Sequence, residues 1–267
     1  MFRFSRRIKR VKFTEDLSLV KEDIKELSIK STVDNINCLK DLKSLEKISI
    51  FSVNQDVINS IVPLLKVKEL KLYDIRFSNF EVFSIMSTIE KIDIEWCTKP
   101  LALWDMTNNT KLVLLSIKDF SKLQDLSLIS TAKHLKELEI SGGMNTAMHI
   151  KTLDPIKELS ELEILALGNL RIDDSSLLSP IASLHMLKEL DISNQFPTEQ
   201  YARLSVLLPH AKSRMFEPYF RMDQILDGKD IMVVGSRKPL LSSKHDKDKL
   251  DMYARRYREL QDRFRVQ

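Results

Sequence analysis

Apolar residues return along the chain in one short pattern: apolar, two variable, apolar, one variable, apolar. The pattern is carried by IKELSI (24–29), LEKISI (45–50), VKELKL (67–72), IEKIDI (89–94), LVLLSI (112–117), LKELEI (135–140), LEILAL (162–167) and LKELDI (187–192). Its fourth residues are Leu27, Ile48, Leu70, Ile92, Leu115, Leu138, Leu165 and Leu190, spaced by 21, 22, 22, 23, 23, 27 and 25 positions. The alternation predicts a short strand in each unit, with the fourth and sixth residues inward and the fifth and seventh outward. A unit of about 22 residues cannot bury its own apolar face, so the units must stack to share one continuous core. Each inward Leu or Ile then contributes about 1.5–3 kcal/mol.

Between the strands, the turns read LDPIKELSELEILAL (153–167), LSPIASLHMLKELDI (178–192) and, more loosely, DLSLISTAKHLKELEI (125–140). In period and turn chemistry the chain resembles leucine-rich-repeat proteins of the bacterial 22-residue, internalin-like type. The resemblance covers about residues 24–194. It implies an α/β fold: a right-handed leucine-rich-repeat solenoid with a parallel concave β-sheet and short helical convex segments, capped at both ends. The chain departs from the family at the position five beyond the inner Leu, where an Asn often bonds the next turn. Here that position holds Thr32, Val53, Ile75, Cys97, Phe120, Gly143, Leu170 and Gln195. No Asn ladder is expected, and Asn169 and Asn194, one residue earlier, are the candidates to replace it in the last two units.

The expected organisation is a basic N-terminal cap (1–23), eight repeat units (24–200) and a C-terminal cap (201–267). In the first, Phe2, Phe4, Ile8, Val11 and Phe13 punctuate a charged segment, half of which suits an edge strand. In the last, YARLSVLLPHAKSRMFEPYF (201–220) reads as a ninth, altered unit: a helix, a stop at Pro209 and a strand near 213–217. DIMVVGSRKPLL (230–241) reads as an edge strand and a turn at Gly235. Ser243 and Asp246 have the spacing of an acidic capping box. Leu250, Tyr253, Tyr257, Leu260 and Phe264 then form an amphipathic stripe that either covers the last repeat or seizes a partner helix.

Charge changes this picture at the ends. Residues 1–13 carry six Lys/Arg and no acid, and residues 221–267 carry 12 Lys/Arg against 8 Asp/Glu, in a chain of net charge +4. The body between them is therefore acidic. The basic N-terminus is a solubilising cap or a site for nucleic acid or an anionic surface. Cys38 and Cys97 stand far apart and suit a reducing compartment, each as a small buried hydrophobe. The N-terminal stretch lacks the apolar core of a signal peptide, and no run of about 20 apolar residues occurs. A bacterial, cytoplasmic protein is expected.

Catalytic signatures are sparse. GSRKP lacks the P-loop spacing, and no Gly-x-Gly-x-x-Gly or Gly-x-Ser-x-Gly occurs. Arg237 and Lys238 could meet a phosphate, but a structural turn explains them better. Five histidines are scattered without metal-ligand spacing. The expectation is no enzyme activity, no cofactor and no metal.

The outward positions are the better candidates. Phe51 and Tyr73 are adjacent outward aromatics, and Trp96 follows Glu95 in the next unit. Trp96 either joins them or turns inward at the strand's end. Lys71, Asp93, Glu95, Lys118 and Glu139 surround them, a composition that suits a protein-binding hot spot. Mixed charge argues against nucleic acid on this face. The expected function is a protein–protein interaction scaffold whose partner is another protein. An immunity-type inhibitor or a host-directed effector is the alternative, and anionic-surface or nucleic-acid binding through the N-terminus is a further one.

Overall fold

The structure is a computed structural model and describes residues 12–266. The basic segment of residues 1–11, with Phe2, Phe4, Ile8 and Val11, lies outside the described residues.

Along the chain come β1 (Thr14–Asp16), β2 (Glu26–Asp34), β3 (Lys47–Phe51), α1 (Gln55–Ile61), β4 (Glu69–Ile75), β5 (Lys91–Cys97), β6 (Leu114–Phe120) and β7 (Glu137–Ser141). They are followed by β8 (Met148–Ile150), β9 (Ile164–Gly168), β10 (Leu170–Ile172), β11 (Glu189–Ile192) and α2 (Thr198–Leu207). The C-terminal elements are β12 (Tyr219–Leu226), β13 (Lys229–Val233), β14 (Leu240–Leu241) and α3 (Lys247–Arg265). Nine strands form one sheet in the order β1-β2-β3-β4-β5-β6-β7-β9-β11. All of its pairings are parallel. The eight repeat strands align in step: Leu27, Ile48, Leu70, Ile92, Leu115, Leu138, Leu165 and Leu190 form one column. No fourth- or sixth-position residue of the eight units is more than 4% exposed. This is a leucine-rich-repeat solenoid whose core is the stack of those two columns. The ninth strand, β1, adds an edge ahead of the first repeat.

Most returning segments are short 3-10 turns, among them Ser127–Thr131, Asp154–Glu158 and Ser179–Ser183, at the three turns the sequence marks, and α1 returns the chain between β3 and β4. Pro155 and Pro180 open two of them, where the missing N–H has no helical acceptor to lose. Between β5 and β6 no helix forms. Buried Asn109 takes its place: its Oδ1 accepts from Trp104 Nε1 at 2.8 Å, and its Nδ2 donates to the carbonyls of Phe83 and Met86 at 2.9 and 3.1 Å. Trp104 in turn packs against Phe80 and Phe83, with ring centroids 5.9 and 5.3 Å away.

A column absent from the sequence reading closes five of the eight repeat strands. Ser52, Asp74, Trp96, Asp119 and Asn169, each four residues beyond the inner Leu or Ile, all have φ between +46° and +62°. The left-handed residue bends the chain so that the next one, Val53, Ile75, Cys97, Phe120 or Leu170, returns to the core. The ladder also has late rungs. Asn169 Nδ2 donates to the Gly143 carbonyl at 2.8 Å, and Gln195 Nε2 donates to the Leu170 carbonyl of the preceding turn. Gln195 is a longer amide at the family's Asn position, so one rung stands there after all.

The C-terminal end differs from expectation in three places. Residues Arg214–Phe216 are a 3-10 turn, and the ninth unit joins the sheet only through a parallel bridge of Lys212 to Glu189. The expected edge strand is the middle strand of a separate antiparallel sheet, β12-β13-β14. Its apolar residues Ile231 and Val233 pack with Leu241 and Leu250 in a small core of their own. Ser243 does not cap α3: its N–H and hydroxyl donate to Asp230 at 2.8 and 2.7 Å. Asp246 precedes the helix and accepts from the Ser242 N–H at 2.9 Å. Hydrogen bonds from Lys229, Lys249 and that N–H hold its carboxyl below the usual range.

The helix α3 covers the last repeat. Leu250 and Tyr257 are buried, Tyr257 donates to the Met215 carbonyl at 2.8 Å, and Gln261 donates to Ser205 Oγ at 2.8 Å. The join is latched by Asn194, whose Oδ1 accepts from Gly235 N at 2.7 Å and whose Nδ2 donates to the Val233 carbonyl at 2.8 Å. Gly235 has φ +125°, and a Cβ there would collide with Thr198 Oγ1. Tyr201 ties the same corner: its buried hydroxyl accepts from the N–H groups of Gln195 and Phe196 at 3.0 Å and donates to the Ser193 carbonyl at 2.6 Å. Burial pushes its pKa up to about 12. Tyr201→Phe strands these groups, so chemical denaturation should show a loss of about 2 kcal/mol at pH 7. Gly235→Ala should release the C-terminal sheet, read as faster amide exchange across β13 with the repeat strands unchanged.

Candidate functional site

Because the inner columns lock the register, the outward columns are straight rows across the sheet. The seventh-position row is Lys30, Phe51, Tyr73, Glu95, Lys118, Ser141, Gly168, each paired with the next. The fifth-position row is Ser28, Ser49, Lys71, Asp93, Ser116, Glu139, Ala166, Asp191. All eight candidate residues lie on adjacent strands, β3 to β7.

The aromatic residues form a continuous ladder. Phe51 and Tyr73 have ring centroids 5.9 Å apart, and Tyr73 meets Trp96 edge-on at 5.8 Å. Phe13 extends the ladder from the N-terminal side, edge-on to Phe51 at 5.0 Å, and Lys30 Nζ lies 4.6 Å above its ring. Trp96 joins its neighbours and does not turn inward: it is 46% exposed. The reason is the left-handed turn. Trp96 has φ +62°, so its side chain stays on the outer side while Cys97 takes the core position. A bulky residue rarely adopts this conformation, and its cost is about 1–3 kcal/mol. Ser, Asp or Asn stands at the equivalent place in four other units, where a short polar side chain tolerates it.

Beside the ladder lies a charge network. Lys118 Nζ is 3.0 Å from Asp93 Oδ1 and 3.6 Å from Glu95 Oε2, and Lys71 Nζ is 3.8 Å from Asp93 Oδ2. Glu139 is only 3% exposed, and its Oε2 accepts from Ser116 Oγ at 2.8 Å. Burial raises the carboxyl of Glu139 above its usual range, although Lys118 and the Ser116 hydroxyl pull the other way. Burial disfavours the Lys118 ammonium, but Asp93, Glu139 and Glu95 outweigh it and hold its pKa above the usual value. Three carboxylates thus share two ammonium groups.

Residue type and spacing mark the rows and the aromatics. The left-handed column and the burial of Glu139 are not marked, although Asp74, Asp119 and Asn169 at a constant offset are the trace such a column leaves. Cys97 is buried, and burial pushes its thiol up to about 11, which keeps it unreactive. Among the described residues, no group of three or more His, Cys, Asp or Glu is arranged to hold a metal ion. No described helix is long and apolar enough to cross a membrane.

No family model matches the chain, and no curated protein matches it. Solved structures that resemble it share low identity. Internalin C2 from Listeria monocytogenes is 16% identical with a TM-score of 0.38, over 70% of this chain and 64% of that one. A second internalin from the same organism is 14% identical with a TM-score of 0.29, over 71% and 79% of the two chains. A leucine-rich-repeat protein from Leptospira interrogans is 15% identical with a TM-score of 0.29, over 70% and 75%. The chain thus spans less than two thirds of internalin C2.

The raised carboxyl of Glu139 has a sign that can be checked. Protonation is favoured in the folded chain, so its contribution is complete below the unfolded carboxyl pKa and is lost as pH rises through the higher folded value. Glu139→Gln keeps an acceptor for Ser116 and removes the charge. Thermal unfolding should show the variant more stable than the parent at pH 7, with the difference gone below about pH 4. A parent as stable as the variant at pH 7 would contradict this reading.

Proposed function

We propose that the protein is a non-enzymatic interaction scaffold that holds a partner protein on the outer face of its sheet. The supporting observation is Trp96. A large ring is kept in a left-handed backbone conformation and half open to solvent, where four other units place Ser, Asp or Asn. Strain at an exposed aromatic brings no core packing in return, and such strain clusters at binding sites.

The ladder Phe51–Tyr73–Trp96 supplies the anchor. Aromatic side chains bury much area with few rotatable bonds, and here each ring is already braced by the next. The parallel sheet beneath is fixed by its core, so little ordering is needed on binding. Lys71, Asp93, Glu95 and Lys118 present both signs of charge within a small area, over Glu139, which is buried against Ser116. That pattern sets which partner fits and in which register. It does not suit nucleic acid, whose backbone asks for a uniformly basic surface.

The test separates binding from folding. Trp96→Asn suits the left-handed position and removes the ring, and Tyr73→Ala removes the next rung. Used as bait in cells that express the protein, the double variant should lose a partner that the parent retains. With that partner purified, each single change should weaken binding about tenfold or more. Full retention by a double variant that melts like the parent would refute the reading.

A further inference from the structure

A second site lies at the other end of the molecule, where α3 meets the C-terminal sheet. A cleft of about 540 Å³ opens there, a size that suits a small ligand. Val233, Val234 and Leu260 supply an apolar floor, and Lys238, Arg256 and Arg263 stand among its walls. The turn after β13 passes through Gly235 at φ +125° and Arg237 at φ +57°. It carries Lys238 across to α3, with Nζ 5.6 Å from the centre of the Tyr253 ring. Arg256, Leu260 and Arg263 follow at helical spacing, so they share one face of α3.

The cations are poorly matched. Arg263 reaches Glu199 at only 3.9 Å. Among the described residues, neither Lys238 nor Arg256 has a carboxylate partner within 4.0 Å. The one acid lining the cleft is Glu259. Two cations without a carboxylate partner therefore line one cleft, Lys238 resting only on the Tyr253 ring.

We propose that this cleft binds a small amphiphilic anion: a carboxylate or phosphate head on a short apolar body. The head lies between Lys238 and Arg256, where the guanidinium can meet two oxygens at once. The body lies on Leu260 and the ring of Tyr253, both half-buried, and removes their remaining apolar surface from water, with buried Val233 and Val234 closing the cleft beneath. Glu259 and the limited volume exclude a long polyanion. This site is independent of the aromatic ladder, and either can fail without the other.

The test is calorimetric titration of the full chain with octanoate, octyl phosphate and inorganic phosphate. At least one amphiphile should saturate a single site, and inorganic phosphate should bind at least tenfold more weakly. Octanoate alone, or octyl phosphate alone, identifies the head group. The double variant Lys238→Glu with Arg256→Glu should weaken binding at least tenfold. Both residues are exposed, so its melting temperature should stay close to the parent's. Tyr73→Ala should bind as the parent does. The proposal is overturned by no saturable binding of either amphiphile, by inorganic phosphate binding as tightly, or by binding that survives the charge reversal. Should the double variant fail to fold, the milder single changes Lys238→Gln and Arg256→Gln, both at exposed positions, must each weaken amphiphile binding for the proposal to stand.

Discussion

Everything in this molecule depends on one constraint: the inward Leu and Ile of each unit can leave water only against the same residues of the next unit. A single unit has too little apolar area to hold itself together. Stacking solves this only if the strands run parallel and in step, because a slip of one residue would turn the core column outward. The pairing of Leu27 through Leu190 across eight strands is that condition met. The outer face follows from it without further instruction.

A stack built this way has two weak points, its ends and its bends. In five units the bends are handled by the left-handed residues from Ser52 to Asn169, which let the chain leave the sheet and still return an apolar residue to the core. The rear end is handled by α3 and the small antiparallel sheet, held to the last unit by Asn194, Gly235 and Tyr201. These contacts are mostly hydrogen bonds from side chains to backbone. They cover polar groups that the final repeat would otherwise leave without a neighbour.

The two candidate sites arise where these devices are put to other uses. At Trp96 the bend column carries a ring in place of a short polar side chain, and the ring completes a ladder begun at Phe13. At the rear seam the turn through Gly235 and Arg237 closes the cap and also brings Lys238 over α3. In each case a structural position is occupied by a residue that the structural task does not require. That excess over structural need is the argument for function.

The sequence by itself determined the repeat, its register and the membership of every outward row, because alternation and a period near 22 residues leave one arrangement that buries Leu27, Ile48 and their equivalents. It also marked Phe51 and Tyr73 as neighbours and the stripe from Leu250 to Phe264 as amphipathic. It did not decide where Trp96 points, since that turns on a backbone angle set by the bend. Nor did it place Gln195 as a rung, make β13 a central strand or bury Glu139. Those outcomes depend on which groups meet across 23 to 41 residues of chain, as Ser116 meets Glu139 and Asn194 meets Gly235. Local pattern is blind to such meetings, and only the folded stack brings them about.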